Sequence, residues 1–356
     1  MISNLPTRYV PDGSSGRGGF SDVIYCSDTH LERRVAIKTI KDPSEEKRLS
    51  DEIAALLQIR SKHVVQLFDV VKHDDSVAIV MEYIDGEDLF TSSYHHQSEI
   101  NLLKVLWQIA SGISDIHDVG LIHRDIKPNN MKLDNEGIVK IFDFGLSRNS
   151  GIDAVTIGFK GTQGFSAPEQ YTHAEVSFTN AIDVYAFGIT ALFLATNNIP
   201  QELLSMPPGK VPVGAFDCPY LDPYPTLKAL FERCLELNPV DRPSISKVRN
   251  EISKFLLFDE HQAIVVVNIS QGSSLLNASR RNVKIALDPI GSFEIHYNGL
   301  NFILDKVKGE VFVNNILAKS KNEIPEACVI SLGGKWRHSR ERSFVTFDVS
   351  NPEVTL

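Results

Sequence analysis

Two short stretches of the chain, HRDIKPNN (His123–Asn130) and DFG (Asp143–Gly145), hold residue types that together suit one kind of chemistry. Asp125 offers a carboxylate that can orient an acceptor hydroxyl and take its proton. Lys127, two residues on, offers a cation, and Asn130 and Asp143 offer further oxygen donors. Phosphoryl transfer demands this set: an orienting carboxylate, positive charge against the moving phosphoryl group, and ligands for magnesium. Asp125 and Asn130 share one loop and Asp143 follows the strand-like run VKIF, so the three side chains can converge on a magnesium-bound nucleotide. Magnesium takes few protein carboxylates because phosphates fill its other positions.

Elements are needed to hold these groups in place. Upstream, β-type runs at 22–26, 34–40, 64–71 and 77–83, with one helical stretch at 45–59, predict a small sheet carrying a single helix. From Leu89 to about Phe258 the pattern is helical, as in LLKVLWQIASGISDIH, where apolar residues recur every three or four positions. Pro200, Pro207, Pro208, Pro212, Pro219, Pro223 and Pro225 predict an irregular connection over 197–225. Beyond Phe258 the period becomes two: AIVVVNIS, VKIAL, SFEIHYNGLNFIL, EVFVNNIL, ACVISL and SFVTFDV read as strands. Asn298-Gly299 is a hairpin signal and Gly333-Gly334 a turn, which together suggest a β-sandwich.

HRDIKPNN and DFG resemble the protein kinase family, and the resemblance extends in order over residues 9–256. It implies an α+β architecture: a two-lobed kinase fold over 1–258, with lobes 1–83 and 84–258, followed by a small all-β sandwich-like domain over 261–356. In RVAIK, Lys38 would hold the α- and β-phosphates and Glu52 would lock that lysine. The glycine-rich segment containing Gly16, Gly18 and Val23 would cover the phosphates, with Ser21 standing where the family has its third glycine. Ala36 and Met81 would line the adenine pocket, Glu82 and Ile84 would offer backbone groups to adenine, and Asp88 would meet the ribose. Asp183 would brace the catalytic loop and Arg242 would pair with Glu169. Lys127, with Thr162 in a GT pair, favours serine and threonine as acceptors. In the activation segment, Asp143 to Glu169, Thr156 and then Ser150 are the favoured regulatory acceptors for a phosphate bound by Arg124. Thr162 would instead bond near Asp125 and Lys127. The implied cofactors are ATP and Mg2+, with Mn2+ as a substitute. Protein Ser/Thr hydroxyls are the implied acceptors, the chain itself included.

Each feature has a blander reading. A glycine-rich turn alone is only a turn, Lys38 alone a solvated lysine, and Glu52 alone a helix-surface charge; their conjunction carries the weight. The competing reading of the whole is a pseudokinase scaffold that binds nucleotide without turnover. Lys132 stands where an apolar residue usually packs under adenine. Its stem can cover the ring while the ammonium reaches water, or it alters nucleotide affinity. His95-His96 has no further ligand at fitting spacing and is assigned no role, and Trp107 reads as core. The basic group Lys335, Arg337, His338, Arg340 and Arg342 reads as a solvated loop or as a receiver of a phosphate or an acidic partner. The last domain weakly resembles forkhead-associated phosphopeptide-binding sandwiches, with Ser279-Arg280-Arg281-Asn282 available to read a phosphothreonine. The alternative is a sandwich without a ligand.

Composition sets the outer bounds. The 356 residues are 42% hydrophobic and 23% charged, as in ordinary globular proteins, and the length suggests two domains. Four cysteines without a C-x-x-C pair point to reduced thiols rather than a zinc cluster or disulfide framework. No apolar run of spanning length occurs and MISNLPTRYV lacks the features of a signal peptide, so a cytoplasmic location is expected. The net charge of −9 resides in residues 1–260, with 25 Lys+Arg against 36 Asp+Glu, whereas 261–356 hold 11 against 9. An acidic first domain disfavours nucleic-acid binding.

Overall fold

The structure is a computed structural model that describes residues 5–17, 21–40, 42, 46–73, 76–90, 98–149, 155–156, 162–171, 176–267, 272–350 and 352–355. The chain divides into two compact units, Met1–Ile252 and Ser253–Thr355. The division falls inside a helix, a few residues before the change of sequence period at Phe258.

The first unit opens with five strands, β1 (Tyr9–Arg17), β2 (Ser21–Asp28), β3 (Arg33–Ile40), β4 (Leu67–His73) and β5 (Ser76–Glu82). They form one antiparallel sheet in the order β1-β2-β3-β5-β4. Side chains alternate between faces along a strand. Val35 and Ile37 of β3 therefore join Ile24, Cys26, Ala78 and Val80 in an apolar layer, while Ala36 and Lys38 face the opposite way. Helix α1 (Glu46–Gln58) buries Leu49, Glu52, Ala55 and Leu56, so one carboxylate lies on the helix's buried face. β1 extends the expected sheet, and β4 begins three residues later than the apolar run that starts at Val64.

The rest of the unit is built on helices α2 (Glu99–Asp118) and α3 (Ala181–Thr196). Ser98 caps α2 by accepting from the Asn101 N–H. Helix α3, AIDVYAFGITALFLAT, is apolar on every side and buried almost throughout, as a central helix must be. It stops at Asn197, whose φ of 52° lets its N–H return to the Phe193 carbonyl. Between these helices lie the short strands β6 (Leu121–Ile122), β7 (Met131–Leu133), β8 (Val139–Ile141), β9 (Arg148–Asn149), β10 (Val155–Thr156) and β11 (Val176–Ser177). They pair as β6 with β9, β7 with β8 and β10 with β11. The proline-rich connection is irregular apart from the single turn α4 (Gln201–Leu204), and α5 (Pro225–Cys234) and α6 (Ile245–Leu256) follow it. Among the described residues no helix is long and apolar enough to cross a membrane.

The second unit is a sandwich of two sheets. One is six-stranded, in the order β13-β12-β21-β20-β17-β18; the other is four-stranded, β14-β15-β16-β19. The strands are β12 (Gln262–Val267), β13 (Ser273–Leu276), β14 (Asn282–Leu287), β15 (Gly291–Tyr297), β16 (Phe302–Gly309), β17 (Val311–Val313), β18 (Ile316–Leu317), β19 (Asn322–Glu323), β20 (Ala327–Leu332) and β21 (Ser343–Ser350). Ala263, Val265, Phe293, Ile295, Ile330, Val345 and Phe347 fill the space between the sheets. At Asn298-Gly299 the hairpin closes through a four-residue loop. Asn298 Oδ1 accepts the N–H groups of Leu300 and Asn301, and Gly299 has φ of 102°.

Candidate active site

The sheet and the helices of the first unit enclose a cleft of about 690 Å³. The alternation that buries Val35 and Ile37 turns Lys38 into this cleft. From α1, Glu52 reaches the same point, and Lys38 Nζ lies 2.6 Å and 2.9 Å from its two oxygens. Lys38 also donates to Asp143 Oδ1 at 3.0 Å, so one ammonium joins a strand, a helix and the segment after β8. Burial works against this ammonium, but Glu52 and Asp143 outweigh it and its pKa is raised. Burial raises the pKa of Glu52, and Asp143 is held below the usual carboxylate range, burial opposing and Lys38 prevailing. Asp143 has φ of 67° and Arg124 φ of 71°, a region costly for residues other than glycine and found where surroundings over-determine the backbone.

Opposite the sheet, the loop after β6 is held from below. Asp183, fully buried in the first turn of α3, accepts the N–H of His123 and of Arg124, both at 2.8 Å, and His117 Nε2 lies 2.9 Å from it. The fixed loop presents Asp125, whose Oδ2 accepts from Lys127 Nζ at 2.7 Å and from Asn130 Nδ2 at 2.9 Å. Asn130 Nδ2 also donates to the Asp125 carbonyl at 2.9 Å, which leaves its Oδ1 as an acceptor in the cleft that Asp143 also lines. Thr162 Oγ1 donates to Asp125 Oδ1 at 2.9 Å and accepts from Lys127 Nζ at 2.5 Å. A donor set of one amide oxygen and one carboxylate suits magnesium, which prefers oxygen ligands and draws most of the remainder from phosphate and water.

Gly16, Val23, Ala36, Met81, Glu82, Ile84 and Asp88 line the same cleft, as do Ser21 and Lys132. Lys132 pairs backbone to backbone with Asp88, and its pKa is lowered by burial against the pull of Asp88. Gly86 has a steric reason to be glycine, since a β-carbon there would overlap the Leu133 carbonyl oxygen of β7. Arg242 meets Glu169 through two bonds of 2.7 Å and 2.9 Å, with its guanidinium fully buried. Removing one partner of such a pair typically costs about 3–5 kcal/mol.

Other expected positions stand apart from this constellation. Gly18, Ser150 and the pair His95-His96 lie outside the described residues. Thr156 is in β10, paired with Val176 of β11, and Arg124 is buried with its guanidinium over the Phe178 ring at 4.7 Å. In the second unit, Ser279 folds back on Asn277 and Arg281 is paired with Asp259 at 2.6 Å. Three contributors had no sequence signal. Lys140 of β8 holds the Glu82 carboxylate at 2.7 Å, Tyr25 packs beneath Gly16, and His117 supports Asp183. Tertiary pairing alone identifies them.

The protein kinase domain family matches residues 9–252 of the chain. Among curated proteins it is 30% identical over 265 residues to CBL-interacting serine/threonine-protein kinase 8 of Arabidopsis thaliana, covering 70% of this chain and 58% of that protein. It is 28% identical over 319 residues to a probable serine/threonine-protein kinase of Clostridium acetobutylicum, covering 83% of this chain and 46% of that one. The chain thus spans about half the length of the curated relatives it matches.

Proposed function

The chain belongs to the protein kinase family, and from that premise we propose that it transfers the γ-phosphate of ATP to serine and threonine hydroxyls of proteins, its own among them. The observation that carries the proposal is the double engagement of Lys38 by Glu52 and Asp143, which supports an assembled rather than a dismantled nucleotide site. Ala36 and the floor that includes Lys132 would enclose the adenine base, the backbone of Glu82 and Ile84 would bond it, and Asp88 would meet the ribose; all of them line the cleft. Lys38 bears on the α- and β-phosphates. Asn130 and Asp143 would hold Mg2+, which when bound draws charge off the phosphate oxygens. Asp125 orients the acceptor hydroxyl and receives its proton, and Lys127 offsets charge on the moving phosphoryl group. The protein supplies position and electrostatics rather than covalent chemistry.

In the same reading, phosphate on Thr156, or second on Ser150, orders the activation segment through Arg124. The test of the main proposal is phosphate transfer from labelled ATP to a generic basic protein, with phosphoamino acids identified and Asp125→Ala as the control. Label on serine or threonine that vanishes with Asp125→Ala supports it. Nucleotide binding without transfer would replace it with a scaffold role.

A further inference from the structure

The outer face of the six-stranded sheet carries exposed apolar side chains toward its β18 edge, beside polar Thr346 and Asp348 on β21. Cys328, Ile330 and Leu332 of β20, with Val345 and Phe347 of β21, point into the sandwich, so the alternate residues Val329 and Phe344 point outward and are 44% and 39% exposed. Register then aligns Leu317, Phe312, Ser331 and Phe344 in one row across β18, β17, β20 and β21, with Leu317 and Phe344 exposed, Phe312 half-buried and Ser331 buried between the rings. Four strands span roughly 15 Å, about the length of a four- or five-residue extended peptide. At one side of the row stands Trp336, 71% exposed, edge-on to Phe312 with ring centroids 5.8 Å apart. Large rings in the open are expected to mark an interaction site when they cluster.

The loop that carries Trp336 is tied down. Glu310 accepts the Gly334 N–H at 2.9 Å and grips Arg337 through bonds of 2.8 Å and 2.6 Å. Arg342 Nε donates to the Gly333 carbonyl at 3.0 Å. A β-carbon at Gly334 would overlap the Trp336 indole, so glycine there lets the ring lie on the backbone in one orientation. A ring already fixed forfeits little entropy when a partner covers it.

Charge decides what kind of partner fits. Arg337 and Glu310 neutralise each other, and Arg342 lies over the Phe344 ring at 4.7 Å. Lys335 and Arg340, on the same loop as Trp336, are exposed and outside every ion pair among the described residues. Glu341 offsets only part of this charge. A largely apolar row with two unpaired cations in the adjoining loop, against the carboxylates of Glu341 and Asp348, favours a partner of the opposite sign.

We propose that this face docks an acidic protein segment that brings large apolar side chains, with Trp336 as the anchor and Lys335 and Arg340 as the charge selectors. The surface belongs to the second unit and the nucleotide cleft to the first, so the proposal stands or falls independently of phosphotransfer.

The test uses the full chain against a display library of short peptides that alternate Asp or Glu with Phe, Leu or Ile, and a matched library with Lys in the acidic positions. Acidic peptides should be enriched, shift the Trp336 emission to the blue and bind less tightly as salt rises. Trp336→Ala, Leu317→Lys and the pair Lys335→Glu with Arg340→Glu should each weaken binding about tenfold or more while the thermal midpoint stays unchanged. Three variants at separate points on the row guard against a fold defect in any one. Equal enrichment from the lysine library, or binding indifferent to all three variants, would overturn the proposal. So would self-association that Trp336→Ala abolishes, or preferential binding to phosphopeptides or to vesicles of anionic lipid.

Discussion

Lys38 answers to two carboxylates at once, and that arrangement sets what single substitutions should do. Asp125 serves no packing purpose, because its bonds run to Lys127, Asn130 and Thr162 within the cleft. Asp125→Ala should therefore lower phosphate transfer by roughly two to four powers of ten while leaving ATP affinity and the melting midpoint near those of the parent. Label transfer beside calorimetric titration separates the two effects. Lys132 poses a smaller question. Its ammonium is penalised by burial with only Asp88 and Asp85 in support, so Lys132→Leu should bind ATP as tightly or more tightly, by about 1 kcal/mol or less. Titration that finds tenfold weaker binding would mean that Lys132 makes a specific contact with the nucleotide.

Among elements, the three-residue strand β8 bonds to groups far away in sequence. Its Val139 carbonyl meets His63 Nδ1 at 3.2 Å, while His63 Nε2 is buried with no partner among the described residues. Burial drives the His63 pKa down to about 4. The unfolded chain, titrating near 6.5, binds a proton that the folded chain refuses. Stability is thus fully present above pH 6.5 and declines as the pH falls toward 4, by about 3 kcal/mol from this group. Melting curves of the parent should show that slope, and His63→Gln should flatten it. The sequence disclosed the members of this region unequally. Asp125, Asn130 and Asp143 were legible because chemistry restricts their types and spacing, and Lys38 through the family resemblance, whereas the Lys140–Glu82 and His117–Asp183 pairs were not. Charged residues of those types are common, and only the fold brings His117 and Asp183 together across 66 positions. Strands β13 and β19 escaped notice for a related reason: SSLL and NE lack the alternation by which a strand reveals itself.

At the scale of the whole chain, the period of the sequence changes at Phe258, while the compact units part at Ile252, inside α6. A chain of residues 1–258 keeps α6 whole and is expected to unfold cooperatively and to bind ATP as the full chain does; circular dichroism and titration would check both. Aggregation of that fragment beside a well-behaved full chain would assign the sandwich to the first unit's core. On the proposed function, the whole molecule also has to spend time with nucleotide and no acceptor. Thr162 then has a consequence of its own, because its hydroxyl takes the bonds of Asp125 and Lys127 that a water would otherwise take. With Asp125 as the proposed general base, that occupancy would act as a stopper against leakage, sparing bound ATP from hydrolysis. Thr162→Ala should raise the ratio of ATP hydrolysed to phosphate delivered, measurable as inorganic phosphate released without substrate, and a ratio unchanged from the parent would leave water exclusion to the cleft walls alone.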